Sequence, residues 1–485
     1  MKVINLDNIC QKAIDGIDDL QEIYIKEKLI ESCKNIIRES MDSEGIRDSV
    51  IQAALELTTE QEPKWQYVAS KLYVHRLYDE VRRNRGINLE VKPYSKFYEF
   101  ISEMTDKNLY GKYILESYTQ AEIEELENEI KPERDFIFTY SGIDLLTKRY
   151  LIQDYNRKPL ELPQQMFMGI AMHLAIPEKQ EDRVMWAKRF YDVLSSLKAT
   201  MATPTMSNAR KPFYQLSSCF IDTVEDSLKG IYKSLDNFAE VSKFGGGMGI
   251  YIGKIRAMGS AIRGFKGASG GVIPWIKLFN DTAVAVDQLG VRNGSVAIWL
   301  DAWHKEVPEF LQLRTNNGDD RKKAHDIFPG LCYPDLFWRL AEEDIDANWY
   351  MMCPHEIKSI KGYSLEDFYG EEWEKRYYDC VNDERIDKRI MSVKDIVRLI
   401  IKSAAETGTP FAFYRDTVNK MNPNKHKGMI YSSNLCTEIM QNMSPMDIQE
   451  TTMYDENGDT IIVEKTKAGD FCGFVILSSV VFREM

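Results

Sequence analysis

From about residue 203 onward the chain alternates short β-like runs with amphipathic helices, and this alternation restricts the fold more than any other feature. The strand candidates are QLSSCFI (215–221), GMGIYIG (247–253), SVAIWLD (295–301) and TPFAFYRD (409–416). Between them lie helical stretches such as DSLKGIYKSLDNFAEVSKF (226–244), with its apolar stripe Leu228, Ile231, Leu235 and Phe238, and SVKDIVRLIIKSAAETG (392–408). The latter carries a full set of boundary signals. Ser392 can cap its start, Ile396, Leu399 and Ile400 form its apolar stripe, and Gly408 can end it. Strands and helices in alternation point to an α/β architecture of the barrel kind.

The first part of the chain has a different texture. SVIQAALELTTE (49–60), WQYVASKLYVHRLYDEVRR (65–83), AEIEELENEI (121–130) and RVMWAKRFYDVLSSLKA (183–199) place apolar residues at three- and four-residue steps, the mark of helices. The expected division is a helical domain over 1–90, a helical region over 91–200 and an α/β domain over 201–485. Within the last, the acidic stretch 445–470 reads as a surface hairpin turning at Asn457-Gly458.

Composition excludes several classes. A net charge of -13, without a long basic run, disfavours nucleic-acid and membrane-surface binding. No apolar stretch is long enough to span a bilayer, and the N-terminus MKVINLDNIC lacks the apolar core of a signal peptide. The eight cysteines are scattered without a CxxC pair or a Cys/His spacing, so neither a disulfide scaffold nor a bound metal is expected. A cytoplasmic enzyme is the class these features favour.

Three constellations carry chemistry. In SSNLCTEI (432–439), an extended reading puts Asn434, Cys436 and Glu438 on one face and Leu435, Thr437 and Ile439 on the other. An amide, a thiol and a carboxylate then stand together. Two-electron thiol chemistry usually uses a histidine to form the thiolate, and none of the six histidines adjoins Cys436 in sequence. A thiol that loses a hydrogen atom needs no such base, so a thiyl radical is chemically reasonable.

The second constellation, TPTMSNARKPFYQLSSCFI (203–221), sets Cys219 behind the hydroxyls of Thr203, Ser217 and Ser218. In the third, Asp226 is positioned to cap the helix that follows. Downstream, KFGGGMGIYIGKIRAMGSAIRGFKGASGGV offers close backbone approach with Lys254, Arg256, Arg263 and Lys266 as phosphate-holding cations. It contains neither a Walker A nor a Rossmann fingerprint. A further loop, DQLGVRNGS (287–295), presents Gln288 and Arg292.

In this order, TPTMSNARKPFYQLSSC, GGGMGIYIGKIRAMGSAIRG, LGVRNGSVAIWLDAWH and SNLCTEI resemble the large (α) subunit of class I ribonucleotide reductases over nearly the whole chain. The resemblance implies a helical N-terminal region with an ATP-cone, followed by a ten-stranded α/β barrel, of which this chain would hold the first part. It implies reduction of ribonucleoside diphosphates. Cys436 would be the thiyl radical that takes the ribose 3′ hydrogen, Glu438 the general base on the 3′ hydroxyl, and Asn434 the group that orients substrate. Cys219 would be one of two thiols that reduce the 2′ position and end as a disulfide.

Thr203, Ser218 and Gly247, with Asn434, Leu435, Cys436, Thr437 and Glu438, match positions that hold the nucleoside diphosphate. Asp226, Ser227, Leu228, Arg256 and Arg263 match the site of a dNTP effector, and the loop with Gln288 and Arg292 would relay its identity. The implied partners are a β subunit carrying a diiron-tyrosyl radical, ATP and dNTP effectors, and an external reductant such as thioredoxin or glutaredoxin. An α2β2-type oligomer is implied as well.

Three departures qualify these expectations. The cone is expected to be degenerate, since KVINLDN lacks the basic, glycine-containing turn, and Asp79 and Glu80 stand near the place of a family lysine. The second redox cysteine is displaced: FVILSS puts Val475 where the family has cysteine, and Cys472 lies three residues upstream. An odd shift would turn its side chain to the opposite face of a strand. The chain stops at Met485, before the remaining barrel strands, which suggests one half of a split subunit completed by a C-terminal chain. The alternative is an inactive nucleotide-binding fragment. Cobalamin or glycyl-radical reductases fit the motifs less well.

Overall fold

The computed structural model describes residues 6–14, 26–34, 36–38, 41–286, 294–445, 447–454, 460–467 and 481–482. The chain divides into two compact units, one of residues Met1–Leu216 with Ser479–Met485 and the other of Ser217–Ser478.

The first unit is helical. The expected helices form over Ser43–Glu56, Trp65–Asn84, Gln120–Glu127 and Gln180–Ser195. Trp65, Val68, Leu72 and the following apolar residues of the second helix face a core that runs from Cys10 to Ala209. That core is continuous across residue 90, so the expected boundary there does not separate two compact bodies. Pro163–Ala175 lies almost wholly within it. A charged pair is sealed inside as well: Arg210 Nη2 meets Glu161 Oε2 at 2.6 Å with both side chains fully buried. Tyr110 Oη and Ile152 N donate to the same carboxylate at 2.5 and 2.8 Å, which satisfies its remaining lone pairs. Asp79, in the region of the expected cone, pairs with Arg47 at 2.6 Å and Arg82 at 2.9 Å.

The second unit is built on a five-stranded parallel sheet. Its strands are β1 (Cys219–Thr223), β2 (Gly247–Tyr251), β3 (Val296–Asp301), β4 (Phe328–Tyr333) and β5 (Phe411–Tyr414), in that spatial order. Cys219 pairs with Gly247, Gly249 with Ala297, Trp299 with Gly330, and Cys332 with Phe413. Parallel neighbours require crossovers, supplied by α1 (Leu228–Lys243), α2 (Ile273–Ala285) and the longer excursions that include α3 (Val393–Thr407). Four of the five strands are those expected from sequence. The fourth, FPGLCY, carries Pro329 and Gly330, two poor strand formers that hid it.

The sheet has two apolar faces, as parallel sheets do. Phe220, Met248, Ile250, Ile298, Leu300 and Leu331 join the helical layer in one large core. On the opposite face Tyr251, Ala297, Trp299, Cys332 and Phe413 form a second cluster with Ile430, and Ile221 meets Met443. The segment 428–443 therefore covers this second face.

Ser392 caps α3 through a bond from Asp395 N, and Gly408 ends it in the left-handed region, as expected. The start of α1 differs from expectation. Ser227, not Asp226, is its cap, accepting from Gly230 N at 3.0 Å. Asp226 sits one residue further out, where Arg256 takes its carboxylate. Strands Asp447–Tyr454 and Thr460–Lys467 pair antiparallel with Tyr454 opposite Thr460, as the hairpin reading requires, while Asn457 and Gly458 lie outside the described residues. No described helix is long and apolar enough to cross a membrane.

Candidate active site

Residues 432–439 are not an extended strand. Ser433 bridges Met440 across a tight turn, and Thr437 has φ 70° in the left-handed region. One side chain closes the turn. Asn434 Oδ1 accepts from Ser433 Oγ, Glu438 N and Ile439 N, each at 3.1 Å. Contrary to the extended reading, local hydrogen bonding by asparagine displaces the ladder that an extended chain would need. The alternation survives in exposure alone. Cys436 and Glu438 are exposed, Leu435, Thr437 and Ile439 are half-buried, and Asn434 is wholly buried.

The turn lies directly on β2. A Cβ at Gly249 would fall 2.1 Å from the Ser433 carbonyl oxygen, and one at Gly247 2.6 Å from Leu435 Cδ2. Side chains at these two positions would fill the space that the turn occupies. On either side, polar clamps fix the flanks. Asn419 donates to Ile430 O at 3.0 Å and accepts from Ile430 N at 2.9 Å, while Thr223 Oγ1 donates to Met443 O at 2.7 Å.

The turn meets the end of β1. Cys219 Sγ lies 3.8 Å from Glu438 Oε1. Burial pushes the Cys219 thiol above its ordinary range and the Glu438 charge raises it further, against a lowering by the nearby Asn434 amide. The upward shift keeps the thiolate fraction of Cys219 low at neutral pH. An amide, a carboxylate and a protonated thiol thus converge beside an exposed second thiol, on residues over two hundred positions apart in sequence.

Two family models match the chain: "Ribonucleotide reductase, barrel domain" over residues 217–458 and "Ribonucleotide reductase, all-alpha domain" over 136–214. This chain belongs to the ribonucleotide reductase large-subunit family. It is 57% identical over 434 residues to the ribonucleoside-diphosphate reductase subunit alpha of Treponema pallidum, an alignment covering 90% of this chain and 51% of that protein. The corresponding subunit of Helicobacter pylori (strain 26695) is 40% identical over 442 residues, covering 91% of this chain and 54% of its own length. The chain spans about half the length of these curated relatives.

For this reductase-family chain the remaining expected residues fall as follows. Ser218 O accepts from Gly247 N at 2.8 Å, which joins β1 to β2 beside the turn. Thr203 belongs to the helical unit, where it opens a short helix, with its hydroxyl 3.2 Å from Tyr150 Oη. Arg256 binds Asp226 through Nε and Nη2, both at 2.9 Å, and donates from Nη1 to Ala261 O at 2.6 Å. Ser227 caps the adjoining helix, Leu228 is 63% exposed, and Arg263 is exposed on the loop that follows Arg256. A cleft of about 580 Å³ opens beside Asp226 and Arg256, lined further by Lys254, His355, Lys358 and Glu366. Gln288, Arg292 and Cys472 lie outside the described residues.

Sequence reasoning missed the support beneath the turn. Arg415 forms a buried ion pair with Asp301, Tyr251 Oη donates to the same carboxylate, and Arg415 Nη2 donates to Tyr431 O at 3.3 Å. A detectable signal existed, since Asp301 ends one otherwise apolar strand and Arg415 directly follows another, where a charge needs a partner.

Proposed function

We propose that this chain carries the thiyl-radical half of a ribonucleoside-diphosphate reductase. The observation that supports it best is the meeting of Cys219 and Glu438, 3.8 Å apart, on a turn closed by Asn434, with Cys436 exposed at its crest. With a ribonucleoside diphosphate over the turn, the Cys436 sulfur radical takes the 3′ hydrogen atom and becomes S–H. Glu438 accepts the 3′ hydroxyl proton, and the 2′ hydroxyl leaves as water after protonation. Cys219 and a second thiol, for which Cys472 is the candidate, deliver two electrons and two protons and join as a disulfide. When substrate departs as deoxynucleotide, the 3′ hydrogen has been returned by Cys436 and the radical restored. Thioredoxin or glutaredoxin then reduces the disulfide.

The radical originates in a β subunit with a diiron-tyrosyl centre. The five described parallel strands leave β1 and β5 as sheet edges, and a ten-stranded barrel needs as many strands again. A complementing C-terminal large-subunit chain supplies them in this reading, within an α2β2-type assembly in the cytoplasm. Asp226, Ser227, Leu228, Arg256 and Arg263 bind a dNTP effector, and Gln288 and Arg292 relay its identity to the substrate site.

The test is co-expression with candidate completing and β chains, followed by CDP reduction. Turnover that is abolished in Cys436→Ala is expected. Turnover that survives this substitution sinks the radical assignment, and loss of all turnover with every completing chain favours a nucleotide-binding fragment without catalysis.

A further inference from the structure

The glycine-rich loop 257–272 runs from Arg256 to the start of α2 and carries Arg263 on its exposed part. Its two ends converge on one carboxylate. Met258 N and Val272 N both donate to Glu306 Oε2 at 3.0 Å. Glu306 is 4% exposed, lies shortly after β3, and forms no ion pair among the described residues. The fit around it is close: a Cβ at Gly271, where φ is 76°, would lie 2.3 Å from both carboxylate oxygens.

The base of the loop is stiff beyond this point. Ala257 N donates to Cys353 Sγ at 3.3 Å, Gly259 N to Ser269 O at 2.9 Å, and Ser269 N to Ser260 O at 3.1 Å. Arg256 Nη1 reaches Ala261 O at 2.6 Å. Beyond these rungs the chain projects Arg263 and the 74% exposed Phe265. One buried carboxyl oxygen thus serves two backbone N–H groups that its removal would leave without that acceptor, a costly state inside a protein. The loop ends are therefore pinned at one point, while its outer part is tied by rungs within the loop itself, Ile262 with Phe265 and Gly267 N to Gly259 O.

We infer that Glu306 is a positioning residue for the effector loop, fixing the base of 257–272 so that Arg256 and Arg263 face the triphosphate of one deoxynucleotide together. The inference rests on the effector-site reading given above. Without Glu306, Met258 N and Val272 N lose their shared acceptor and the two ends of the loop part.

Equilibrium binding of dTTP to the full chain tests this with the parent, Glu306→Ala and Glu306→Gln, each first shown to fold by circular dichroism. Amide hydrogen exchange across 257–272 is followed in parallel. The expected result is affinity weakened about tenfold or more in Glu306→Ala, with faster exchange confined to the loop. Glu306→Gln, which keeps a carbonyl acceptor, should recover most of both. Parent-like dTTP binding in Glu306→Ala overturns the inference alone, as does failure of Gln to restore what Ala loses. Absence of dTTP binding by the parent chain overturns the effector-site reading itself, and this inference with it.

Discussion

Gly249 of β2 and Ser433 of the cysteine-bearing turn touch through backbone, with room for no side chain between them. A methyl group at Gly249 has to displace a carbonyl 2.1 Å away, and backbone cannot yield as the tip of a side chain can. Gly249→Ala is therefore expected to destabilise the sheet unit by about 1–3 kcal/mol through overpacking. Gly270→Ala, whose nearest neighbour would be Pro274 Cγ at 3.5 Å, is the control. It should stay within about 0.5 kcal/mol of the parent in urea unfolding. Equal effects of the two substitutions would contradict the close packing of turn on strand.

The seven described cysteines differ sharply in access. Cys436 is exposed and Cys10, Cys33, Cys219, Cys332, Cys353 and Cys380 are buried. Burial also pushes the Cys219, Cys332 and Cys380 thiols upward, which lowers their thiolate fraction at neutral pH. Alkylation of the native chain, read by peptide mass spectrometry, should label Cys436 at least about tenfold faster than Cys219. Equal rates would mean that the turn does not present its thiol as described.

The Arg415–Asp301 pair lies beneath the same turn with side chains 2% and 1% exposed. Burial raises Asp301 above its ordinary range and the Arg415 charge opposes that rise. Removing one partner leaves the other buried and uncompensated. Arg415→Met alone should therefore cost about 3–5 kcal/mol in chemical denaturation, and the double variant with Asp301→Asn less than the sum of the singles. Strict additivity would show that the two charges are not coupled.

How much of this was legible in the sequence depends on the kind of interaction. The helices at 65–83 and 392–408 and four of the parallel strands were readable, because burial of one stripe or one run leaves a periodic trace. The strand Phe328–Tyr333 was not, since Pro329 and Gly330 mask its local preference and pairing on both sides supplies the order. Asn434, Cys436 and Glu438 stand out in the sequence as a group, but their geometry does not. A side-chain oxygen that accepts from two backbone N–H groups makes a turn, and composition does not distinguish that from an extended run. Asp226 reads as a local cap, whereas its partner, Arg256, is thirty residues away. The Glu306, Asp301 and Arg415 contacts are tertiary and leave no periodic signature.

His304 is fully buried between two backbone groups that fix its tautomer. Its Nε2 lies 3.0 Å from Ile255 O, which can only accept, and its Nδ1 lies 3.2 Å from Glu306 N, which can only donate. The ring is therefore neutral with the proton on Nε2, and burial pushes its pKa down to about 4 from 6.5. A depressed folded-state pKa gives stability that is present above 6.5 and lost as pH falls through 4, in total about 3 kcal/mol. Glu306, pushed up to about 7 by burial, acts in the opposite sense: its contribution is full below 4.5 and lost as pH rises through 7. The two cancel over much of the range, so the parent should show a shallow dependence between these limits. His304→Gln removes the acid-side loss and leaves the carboxylate's, so its stability should fall monotonically from acid to neutral pH in denaturation series. An acid limb unchanged from the parent would assign the titration to another group.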